Sequence, residues 1–509
     1  MKRFLLLATI LITSQLSAQN LQFQWVKSWP FAIDMRTCDS EDNIYLAGKV
    51  FDTLQYGGYT LINHDIGQFD IYIAKLDSSF NLIWLKQIAG STAENVTGLN
   101  VDSQDNLVVS VIFKSSAVVE SDSIFASTFF HRPLLVKYAP DGSLIYYTTP
   151  VYSNTSCLHL FNTVIDKQDN IIIHGEKSGE LIFSDSSTLA ADTNLYFLEK
   201  LDADGNKLWA QSTPYEFSKL TTGPSGNIVA LASEGIFKYL SSGAFYYQKV
   251  FPYGVFDIAI DSLENIYLTG QFDSAFVLEG VPYAPSGHYN GILQKTNPDG
   301  DNIWVNLLIA ENVFPYGVAV NDNRLTLAGR FSRTLHIGND SLVGMLQGNY
   351  MFSLFVAGFD LSGSLLFNNL ITSNNSMQGG YIFANDAIYL NGITDDTTWF
   401  DQYMYVPANA SYTEEYIAKI HGITQGIEQV SATDIAVYPN PCSDFVEISL
   451  PNTSQHTFAE IVNTEGRILK KVQIENVREI IDIRFLNSGI YFIRIADPEF
   501  SSVHRIFKI

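Results

Sequence analysis

Two short acidic segments have the composition of a metal-binding loop. The segments "DADGN" at 202–206 and "PDGDN" at 298–302 resemble the start of a calcium loop built from oxygen ligands. Neither segment has a Glu at the twelfth position of such a loop. Because Asp-Gly is also a common hairpin turn, we interpret both segments as structural turns and predict no metal site. Calcium binding that begins with Asp202, Asp204 and Asp299 is the alternative.

Other residue types that carry catalysis are scattered along the chain. The nine histidines include no pair at i, i+4, and the sequence has no Cys-x-x-Cys, no Gly-x-Ser-x-Gly and no phosphate-binding glycine loop. His174 lies in a predicted strand, where an interior histidine with its hydrogen bonds satisfied is the more natural interpretation than a ligand. The sequence therefore predicts no catalytic residue and no cofactor.

Aromatic side chains are the remaining candidates for ligand contact. The 27 Tyr and 34 Phe mostly follow the strand patterns, as packing residues do. A few fall in segments between strands, where they could stack on sugar rings or cover hydrophobic edges. These are Phe129, Phe130, Tyr283, Tyr289, Trp399 and Tyr405.

The elements that must position these residues come from a recurring phrase. "DSEDNIYLAG" at 39–48 returns as "DSQDNLVVSV" at 102–111, "DKQDNIIIHG" at 166–175 and "DSLENIYLTG" at 261–270. Its Asp and Asn residues favour a turn, and the following Ile, Tyr and Leu favour a strand. Each copy therefore predicts a hairpin with an acidic turn.

A second phrase alternates with the first and also predicts a hairpin. In five copies a Lys precedes an aromatic residue by nine positions, as Lys75 precedes Trp84. In the sixth copy Gly358 stands nine positions before Phe367. A seventh copy has Lys419 but no aromatic strand after it. The two phrases together predict seven copies of a four-stranded repeat.

Four-stranded repeats of this period, mostly 57–64 residues, indicate a β-propeller. The incomplete seventh copy has its missing strand at the other end of the chain, because "QFQWVK" at 22–27 fits the strand slot with Trp25 in the place of Trp84. We therefore predict an all-β fold, a seven-bladed β-propeller closed by the N-terminal strand, which removes open edges. Six copies carry an extra segment of about twenty residues between their second and third strands, on a rim where propellers commonly bind.

The phrases "NIYLAGKVFDT", "DIYIAKLD" and "LIW" resemble the bacterial seven-bladed β-propeller repeat family. The resemblance covers about residues 21–421. It implies the propeller fold and is nearly silent on function.

The first residues and the charge bear on location. Residues 1–18 have a basic start, an apolar stretch and a small residue, Ala18, so we expect a signal peptide cleaved after Ala18. No later stretch is long and apolar enough for a transmembrane helix. The net charge of −23 disfavours nucleic acid and anionic membrane surfaces as partners.

The last residues have a different pattern, with alternating strands that predict a small β-sandwich over 434–509. This segment resembles the type A C-terminal sorting domain of proteins exported by the type IX secretion system of Bacteroidota. The matching residues are Pro439, Asn440, Pro441, Gly466, Leu486, Gly489 and Tyr491, with a basic final strand that contains Lys508. The resemblance implies passage through the outer membrane, removal by a sortase-like protease, and release or attachment to surface lipopolysaccharide.

The predicted organisation is a signal peptide at 1–18, a propeller at 19–421, a linker at 422–433 and a sorting domain at 434–509. The function we predict is that of a secreted or cell-surface, non-catalytic binding or scaffold protein. Its expected partners are the type IX secretion machinery, a sortase-like protease, and a glycan or protein ligand on the propeller rim. A secreted polysaccharide lyase or glycosidase that uses the propeller channel is the alternative, and it requires converging catalytic groups such as paired carboxylates.

Overall fold

The computed structural model describes most of the chain, which divides into two compact parts, residues 1–422 and 423–509. The described residues are 23–63, 69–90, 95–126, 131–152, 159–177, 179–193, 195–321, 324–344, 352–373, 377–384, 388–394, 396–400, 403–407, 414–420, 436–438, 442–449, 458–463, 467–474, 476, 478–497 and 500–508. The predicted signal peptide and linker lie outside them.

Regular structure in the described N-terminal part consists of strands, with no helix. The strands are β1 Phe23–Trp29, β2 Met35–Cys38, β3 Ile44–Val50, β4 Thr53–Tyr56, β5 Tyr59–Ile62, β6 Asp70–Leu76, β7 Leu82–Gly90, β8 Asn95–Val101, β9 Leu107–Lys114, β10 Ser116–Val119, β11 Asp122–Phe125, β12 His131–Tyr138, β13 Leu144–Thr148, β14 Val151–Tyr152, β15 His159–Ile165, β16 Ile171–Glu176, β17 Leu181–Phe183, β18 Thr188–Leu189, β19 Tyr196–Leu201, β20 Lys207–Thr213, β21 Lys219–Thr222, β22 Ile228–Ala232, β23 Gly235–Tyr239, β24 Phe245–Lys249, β25 Gly254–Ile260, β26 Ile266–Phe272, β27 Phe276–Leu278, β28 Val281–Tyr283, β29 Asn290–Thr296, β30 Asn302–Ile309, β31 Asn312–Val320, β32 Leu325–Ser332, β33 Thr334–Ile337, β34 Asp340–Val343, β35 Phe352–Phe359, β36 Leu365–Ser373, β37 Met377–Ala384, β38 Ile388–Thr394, β39 Thr398–Phe400, β40 Tyr403–Tyr405 and β41 Glu414–Ile420.

Four-stranded antiparallel units, whose strands we call a to d, organise these strands. Their strand sets are β2-β3-β6-β7, β8-β9-β12-β13, β15-β16-β19-β20, β21-β22-β23-β24, β25-β26-β29-β30, β31-β32-β35-β36 and β37-β38-β41-β1, which we number units 1 to 7. Strand a of each unit contacts strand a of the next, and β37 contacts β2. The b and c strands are almost wholly buried between neighbouring units. The arrangement is propeller-like, with the apolar core between the units.

The N-terminal strand β1 completes the sheet of the last unit. It pairs antiparallel with β41, and Trp25 lies opposite Lys419. In unit 1 Trp84 lies opposite Lys75 in the same way. Phe23 and Trp29 of β1 are fully buried. The pairing of chain ends that the sequence predicts is present, with the register predicted from the Lys-to-aromatic spacing.

Steric crowding explains why the phrase "DSEDNIYLAG" and its counterpart in unit 6 end in glycine. Strand a shifts register near its start, for example between Phe314 and Gly317, and bulges toward strand b. A Cβ on Gly329 would come 2.7 Å from Cα of Pro315 and also meet the Phe314 carbonyl oxygen. Gly48 meets the carbonyl oxygen of Ala32 in the same way. Glycine therefore lets the bulged strand approach closely.

The outer edges of the d strands are protected from further strand pairing in two ways. The segments between strands b and c form hairpins, and three of these hairpins pair with the d strand of the preceding unit: β10 with β7, β33 with β30, and β39 with β36. In units 2, 3, 4 and 7 the d strand has no such partner among the described strands. There a proline follows the strand, at Pro150, Pro214, Pro252 and Pro30. Since proline cannot donate to a ladder, it ends the pairing edge.

The C-terminal part consists of two antiparallel sheets. Its strands are β42 Ala436–Tyr438, β43 Phe445–Ser449, β44 Phe458–Val462, β45 Ile468–Gln473, β46 Arg478–Asp482, β47 Gly489–Asp497 and β48 Phe500–Lys508. The sheets have the orders β42-β43-β46 and β45-β44-β47-β48. Isoleucines from both sheets, such as Ile448 and Ile493, bury one shared core.

None of the described residues forms a helix with the length and apolar character needed to cross a bilayer.

Candidate functional site

Strand order gives each unit two different ends. The a–b and c–d turns lie at one end, which we call the turn face. The b–c hairpins and the d–a connections lie at the other end, which we call the insertion face. The acidic phrases lie on the turn face, and the aromatic candidates among the described residues lie on the insertion face.

The acidic turns use their carboxylates to hold the backbone. Asp39 accepts hydrogen bonds from the backbone N–H groups of Glu41 and Asn43, at 3.1 and 2.8 Å, and from the Asn43 amide at 2.9 Å. Asp202 binds the N–H groups of Asp204 and Asn206 in the same way, at 3.0 and 2.8 Å. These contacts are those of structural turns. Among the described residues no group of three His, Cys, Asp or Glu side chains is arranged to hold a metal ion.

Buried lysines pair with these turns. Lys Nζ lies 2.7 to 3.8 Å from a carboxylate in the pairs Lys75–Asp39, Lys137–Asp102, Lys200–Asp166, Lys238–Glu264, Lys295–Asp261 and Lys419–Asp42. Burial disfavours the charged form of Asp39, but hydrogen bonds from Asn43 and Lys75 outweigh burial and lower its pKa. The sequence analysis used the lysine only as a spacing marker and missed this pairing. The recurrence of Asp and Lys in the same copies was the available signal.

The same lysine joins one unit to the next. One carbonyl oxygen in the c–d turn of the next unit accepts two hydrogen bonds. One comes from the lysine Nζ, and the other comes from the ring N–H or O–H of the aromatic residue paired with that lysine. Lys75 and Trp84 donate to Pro140 at 3.1 and 3.2 Å. The corresponding sets are Lys137 and Tyr146 to Ala203, Lys200 and Trp209 to Ser241, Lys238 and Tyr247 to Pro298, Lys295 and Trp304 to Leu361, and Lys419 and Trp25 to Ser78.

Unit 6 is the exception, and its position explains why. It has Gly358 and Phe367 in place of the lysine and the hydrogen-bonding aromatic residue. The next unit has no c–d turn in the chain, because its strands c and d, β41 and β1, come from opposite ends of the sequence. A donor pair in unit 6 would have no turn carbonyl to bind.

His174 is an interior structural residue, as the sequence predicts. It is fully buried. Its Nδ1 lies 2.9 Å from the Phe197 carbonyl oxygen, and the Phe217 N–H donates to its Nε2 at 3.0 Å. These two bonds place the proton on Nδ1. Burial lowers the pKa of His174 to about 4, so the ring is neutral at physiological pH.

Most of the predicted rim aromatics pack against the protein. Tyr283 stacks on Phe276 with ring centroids 5.2 Å apart. The Tyr405 hydroxyl donates to Glu414 at 2.5 Å. Trp399 is half-buried in β39. Phe129 and Phe130 lie outside the described residues. Tyr289 differs, because its side chain is 37% exposed.

Tyr289 belongs to a cluster that we call the aromatic–arginine surface, on the insertion face of units 5 and 6. Its members are Phe256, Tyr289, Phe314, Tyr316, Arg330 and Phe352. The Phe314 and Tyr316 rings are nearly parallel, with centroids 6.1 Å apart and an interplanar angle of 14°. Tyr289 lies 5.7 Å from Phe314, and Phe256 stacks against Tyr316 at 5.9 Å.

Arg330 is the cation of this surface. Its guanidinium carbon lies 5.0, 5.3 and 4.7 Å from the ring centroids of Phe314, Tyr316 and Phe352. Its Nε is buried without a hydrogen-bond partner. Among the described residues Arg330 forms no ion pair, whereas the turn-face lysines are all paired. The sequence analysis did not single out Arg330, although "FPY" at 314–316 beside a basic strand end was visible.

A second group of polar residues lies where units 7 and 1 meet. Burial raises the pKa of Glu415 to about 7, and the charge of Asp34 raises it while that of Arg36 lowers it. Burial also raises the pKa of Asp34. The group therefore combines two carboxyl groups whose pKa values are raised, that of Glu415 to near neutrality.

The predicted sorting motif lies partly within the described C-terminal part. Leu486 is buried in its core. Tyr491 donates its hydroxyl to the Asn487 carbonyl at 3.0 Å. Gly489 is the first residue of β47, its φ is not in the left-handed region, and a Cβ there meets only Tyr491 at 3.8 Å. A side chain at Gly489 would therefore cause no backbone strain. Pro439, Asn440, Pro441 and Gly466 lie outside the described residues.

Comparisons with known proteins give a family match for the tail and a partial similarity to one viral protein. Residues 436–508 match the family described as the secretion system C-terminal sorting domain. This match indicates export to the surface or beyond through the type IX secretion system. An uncharacterized WD repeat-containing protein of Acanthamoeba polyphaga mimivirus is 27% identical over 147 residues, which span 25% of this chain and 10% of that protein.

Solved structures with some likeness include three from different sources. YCF48 bound to D1 peptide has a TM-score of 0.40 and 10% identity, with 81% of this chain and 99% of that chain covered. The Neurospora crassa Pan2 WD40 domain has a TM-score of 0.31 and 8% identity, with 64% of this chain and 89% of that chain covered. A DUF4221 family member from Bacteroides vulgatus has a TM-score of 0.30 and 12% identity, with 61% of this chain and 92% of that chain covered. At these TM-scores the three structures carry no inference about ligand or activity.

Proposed function

We propose that residues 19–421 form a seven-bladed β-propeller closed by the N-terminal strand. Support comes from the succession of strand a contacts, which returns from β37 to β2. The register of β1 with β41 supports closure. Trp25 and Lys419 also bind the same Ser78 carbonyl, at 3.3 and 3.5 Å, as their counterparts do between the other units. An open arc of units would leave this last contact without a partner.

The route of export is the second element of the proposal. A signal peptide, cleaved after Ala18, directs a bacterial chain of the Bacteroidota type to the periplasm. Residues 434–509 then act as a type A sorting β-sandwich, joined by the linker 422–433. The secretion machinery binds this domain, and a sortase-like protease removes it before release or attachment to surface lipopolysaccharide. The family match over 436–508 supports this role.

Fractionation tests the export route. A chain that lacks 434–509 is expected to accumulate, folded, in the periplasm. An exported reporter fused to 434–509 is expected to reach the surface. Surface levels of the shortened chain equal to those of the full chain would overturn the assignment.

The exported protein is a non-catalytic binding protein whose ligand contacts the insertion face. The aromatic–arginine surface is the observation that supports this proposal, because it combines an exposed Tyr289 with a cation, Arg330, that forms no ion pair among the described residues. Exposed aromatic rings are typical contacts for glycan or protein ligands. The turn face is a poorer candidate, since its buried lysines are already paired with carboxylates.

A binding screen of the exported full-length protein against a glycan array tests this function. Tyr289→Ala is expected to weaken binding about 3- to 10-fold, the effect of one aromatic contact of about 0.5–1.5 kcal/mol. Phe125→Ala is the matched control, because Phe125 is 73% exposed on a different hairpin. Equal loss in both variants, or none in either, would contradict the assigned surface.

The alternative, a secreted polysaccharide lyase or glycosidase, has its best support at Asp34 and Glu415. A carboxyl group with a pKa near 7 can serve as a general acid. The test is degradation of polysaccharides by the full chain, with Glu415→Gln expected to abolish it. Degradation that Glu415→Gln does not affect would reject this site.

A further inference from the structure

We propose that the aromatic–arginine surface binds an acidic glycan and that Arg330 recognises the carboxylate of a uronic acid residue in it. This inference rests on the proposed binding function and assigns its ligand class. The starting point is the guanidinium of Arg330, which contacts three aromatic rings and has no anionic partner among the described residues.

Ring contacts leave the hydrogen-bonding edge of a guanidinium free. The planar group meets aromatic rings through its face, and its N–H donors point outward in the plane. Two parallel N–H groups match the two oxygens of a carboxylate. The Arg330 side chain is partly exposed, so a ligand can reach its terminal nitrogens. A carboxylate bound there would complete a charge-assisted pair that none of the described residues supplies.

Local charge favours an anion at this position despite the acidic protein. Glu311 on the same rim is paired with Arg333. His288, next to Tyr289, is exposed and adds no negative charge. The approach to Arg330 is therefore not blocked by an unpaired carboxylate of the described neighbours.

The exposed ring beside the cation favours a sugar. Tyr289 is held by backbone contacts between units 5 and 6, since the Val313 N–H donates to its carbonyl at 2.9 Å. It lies 5.7 Å from Phe314, which contacts Arg330. A pyranose ring could stack on Tyr289 while its carboxylate reaches Arg330. An acidic peptide could pair its carboxylate with Arg330, but it has no pyranose ring to stack on Tyr289.

Unit 1 supplies a matched control position. Lys49 occupies the same place in strand b as Arg330, six residues into the "NIYLAGK" phrase, and lies 4.6 Å from a single ring, Phe69. Lys49→Gln removes the same formal charge from the same face. Any loss caused only by the overall charge of the protein should therefore appear equally in Lys49→Gln and Arg330→Gln.

The experiment measures binding of the full chain to galacturonate, glucuronate and mannuronate oligomers and to their carboxyl-reduced counterparts. We expect the acidic oligomers to bind more tightly than the reduced ones. Arg330→Gln should raise Kd about 10- to 100-fold, the loss typical of hydrogen bonds to a charged group. Lys49→Gln should leave Kd within about twofold. Arg330→Lys should bind more tightly than Arg330→Gln but less tightly than the wild type, because an ammonium group lacks the two parallel N–H donors of a guanidinium.

Several outcomes would overturn the inference. Equal binding of acidic and reduced oligomers, with sensitivity to Tyr289→Ala, would reject the acid and leave glycan binding standing. Capture of an oligoglutamate peptide in an Arg330-dependent way, without uronate binding, would assign a peptide instead. Absence of any glycan or peptide binding would reject both this inference and the proposed function. Thermal unfolding of each variant shows whether a loss reflects unfolding.

Discussion

The turn face and the insertion face of the repeat units use charged and aromatic side chains in opposite ways. On the turn face each lysine has a carboxylate and a carbonyl as fixed partners, and each aromatic ring donates to the neighbouring unit. On the insertion face Arg330 has no anionic partner within the described part of the chain, and Tyr289 is exposed. Repeated, satisfied contacts hold the units together, whereas contacts that occur once and stay unsatisfied are available to a ligand.

The insertion-face hairpins also protect the outer strands of some units. The hairpins of the insertion face cover the outer strands of units 1, 5 and 6. Where no hairpin is paired, as at Pro214 and Pro252, a proline ends the strand. The inserted segments therefore have a structural role beside any binding role, and not every residue on this face is a candidate for ligand contact.

Removing β1 should have the largest effect of any change to the turn-face contacts. A mature chain that begins at residue 31 loses Phe23, Trp29 and the Trp25 contact to Ser78. Loss of one buried Trp alone costs about 3–5 kcal/mol. Chemical denaturation of this chain and of one that begins at residue 19 measures the difference. Equal stability would mean that the ring does not depend on β1.

Breaking one lysine contact should have the next largest effect. Lys200→Met leaves Asp166 charged, with a fully buried side chain, and removes the bond to Ser241. An uncompensated buried charge costs about 3–5 kcal/mol. Lys86→Met is the matched control, because the Lys86–Glu120 pair is far more exposed than the Lys200–Asp166 pair and should contribute under about 1 kcal/mol.

The two lysine variants sharpen the contrast between the faces. If both lose the same stability in urea, the turn-face pairs have no special role. If adding Asp166→Asn to Lys200→Met restores part of the loss, the cost came from the unpaired carboxylate.

A buried carboxyl group in unit 3 should make stability depend on pH. Burial raises the pKa of Glu199 from 4.5 to about 8, and its oxygens have no hydrogen-bond partner among the described residues. The folded state therefore keeps a proton that the unfolded state releases. Stability from this group is full below about pH 4.5 and falls by up to about 1.4 kcal/mol per pH unit until about pH 8.

Glu199→Gln tests this dependence. Unit 5 has Gln294 at the equivalent position, buried and bonded to Asn302 at 2.9 Å, so a glutamine fits the repeat. The variant should unfold at higher urea concentration than the wild type at pH 9 and show a smaller difference at pH 5. A wild type whose midpoint is constant from pH 5 to 9 would contradict the assigned protonation.

The repeat made the fold predictable, but it did not make the surface predictable. Turn residues, strand residues and the nine-residue spacing all recur, so their periodicity indicated the units and the pairing of Trp25 with Lys419. The Lys–Asp pairs needed the third dimension, because Lys75 and Asp39 are 36 positions apart. Arg330 and the three rings it contacts lie on three strands of unit 6, whereas the equivalent Lys49 of unit 1 contacts a single ring, so no period marks the cluster.

Removal of metal should have the smallest effect on the turn face. The Asp202 carboxylate already accepts two backbone N–H groups and the Asn206 amide, at 2.8 to 3.1 Å. In "PDGDN" the turn is held by Asn297, whose oxygen accepts the N–H groups of Asp299 and Asp301. A calcium site filled at 100 times its Kd would raise the free energy of unfolding by about 2.7 kcal/mol.

Because the turns are already held without a metal, thermal unfolding of the full chain in EDTA and in calcium should give the same midpoint. A calcium-dependent rise that Asp202→Asn abolishes would show that these turns are ligands as well as hairpin turns, and would remove the distinction drawn between the two faces.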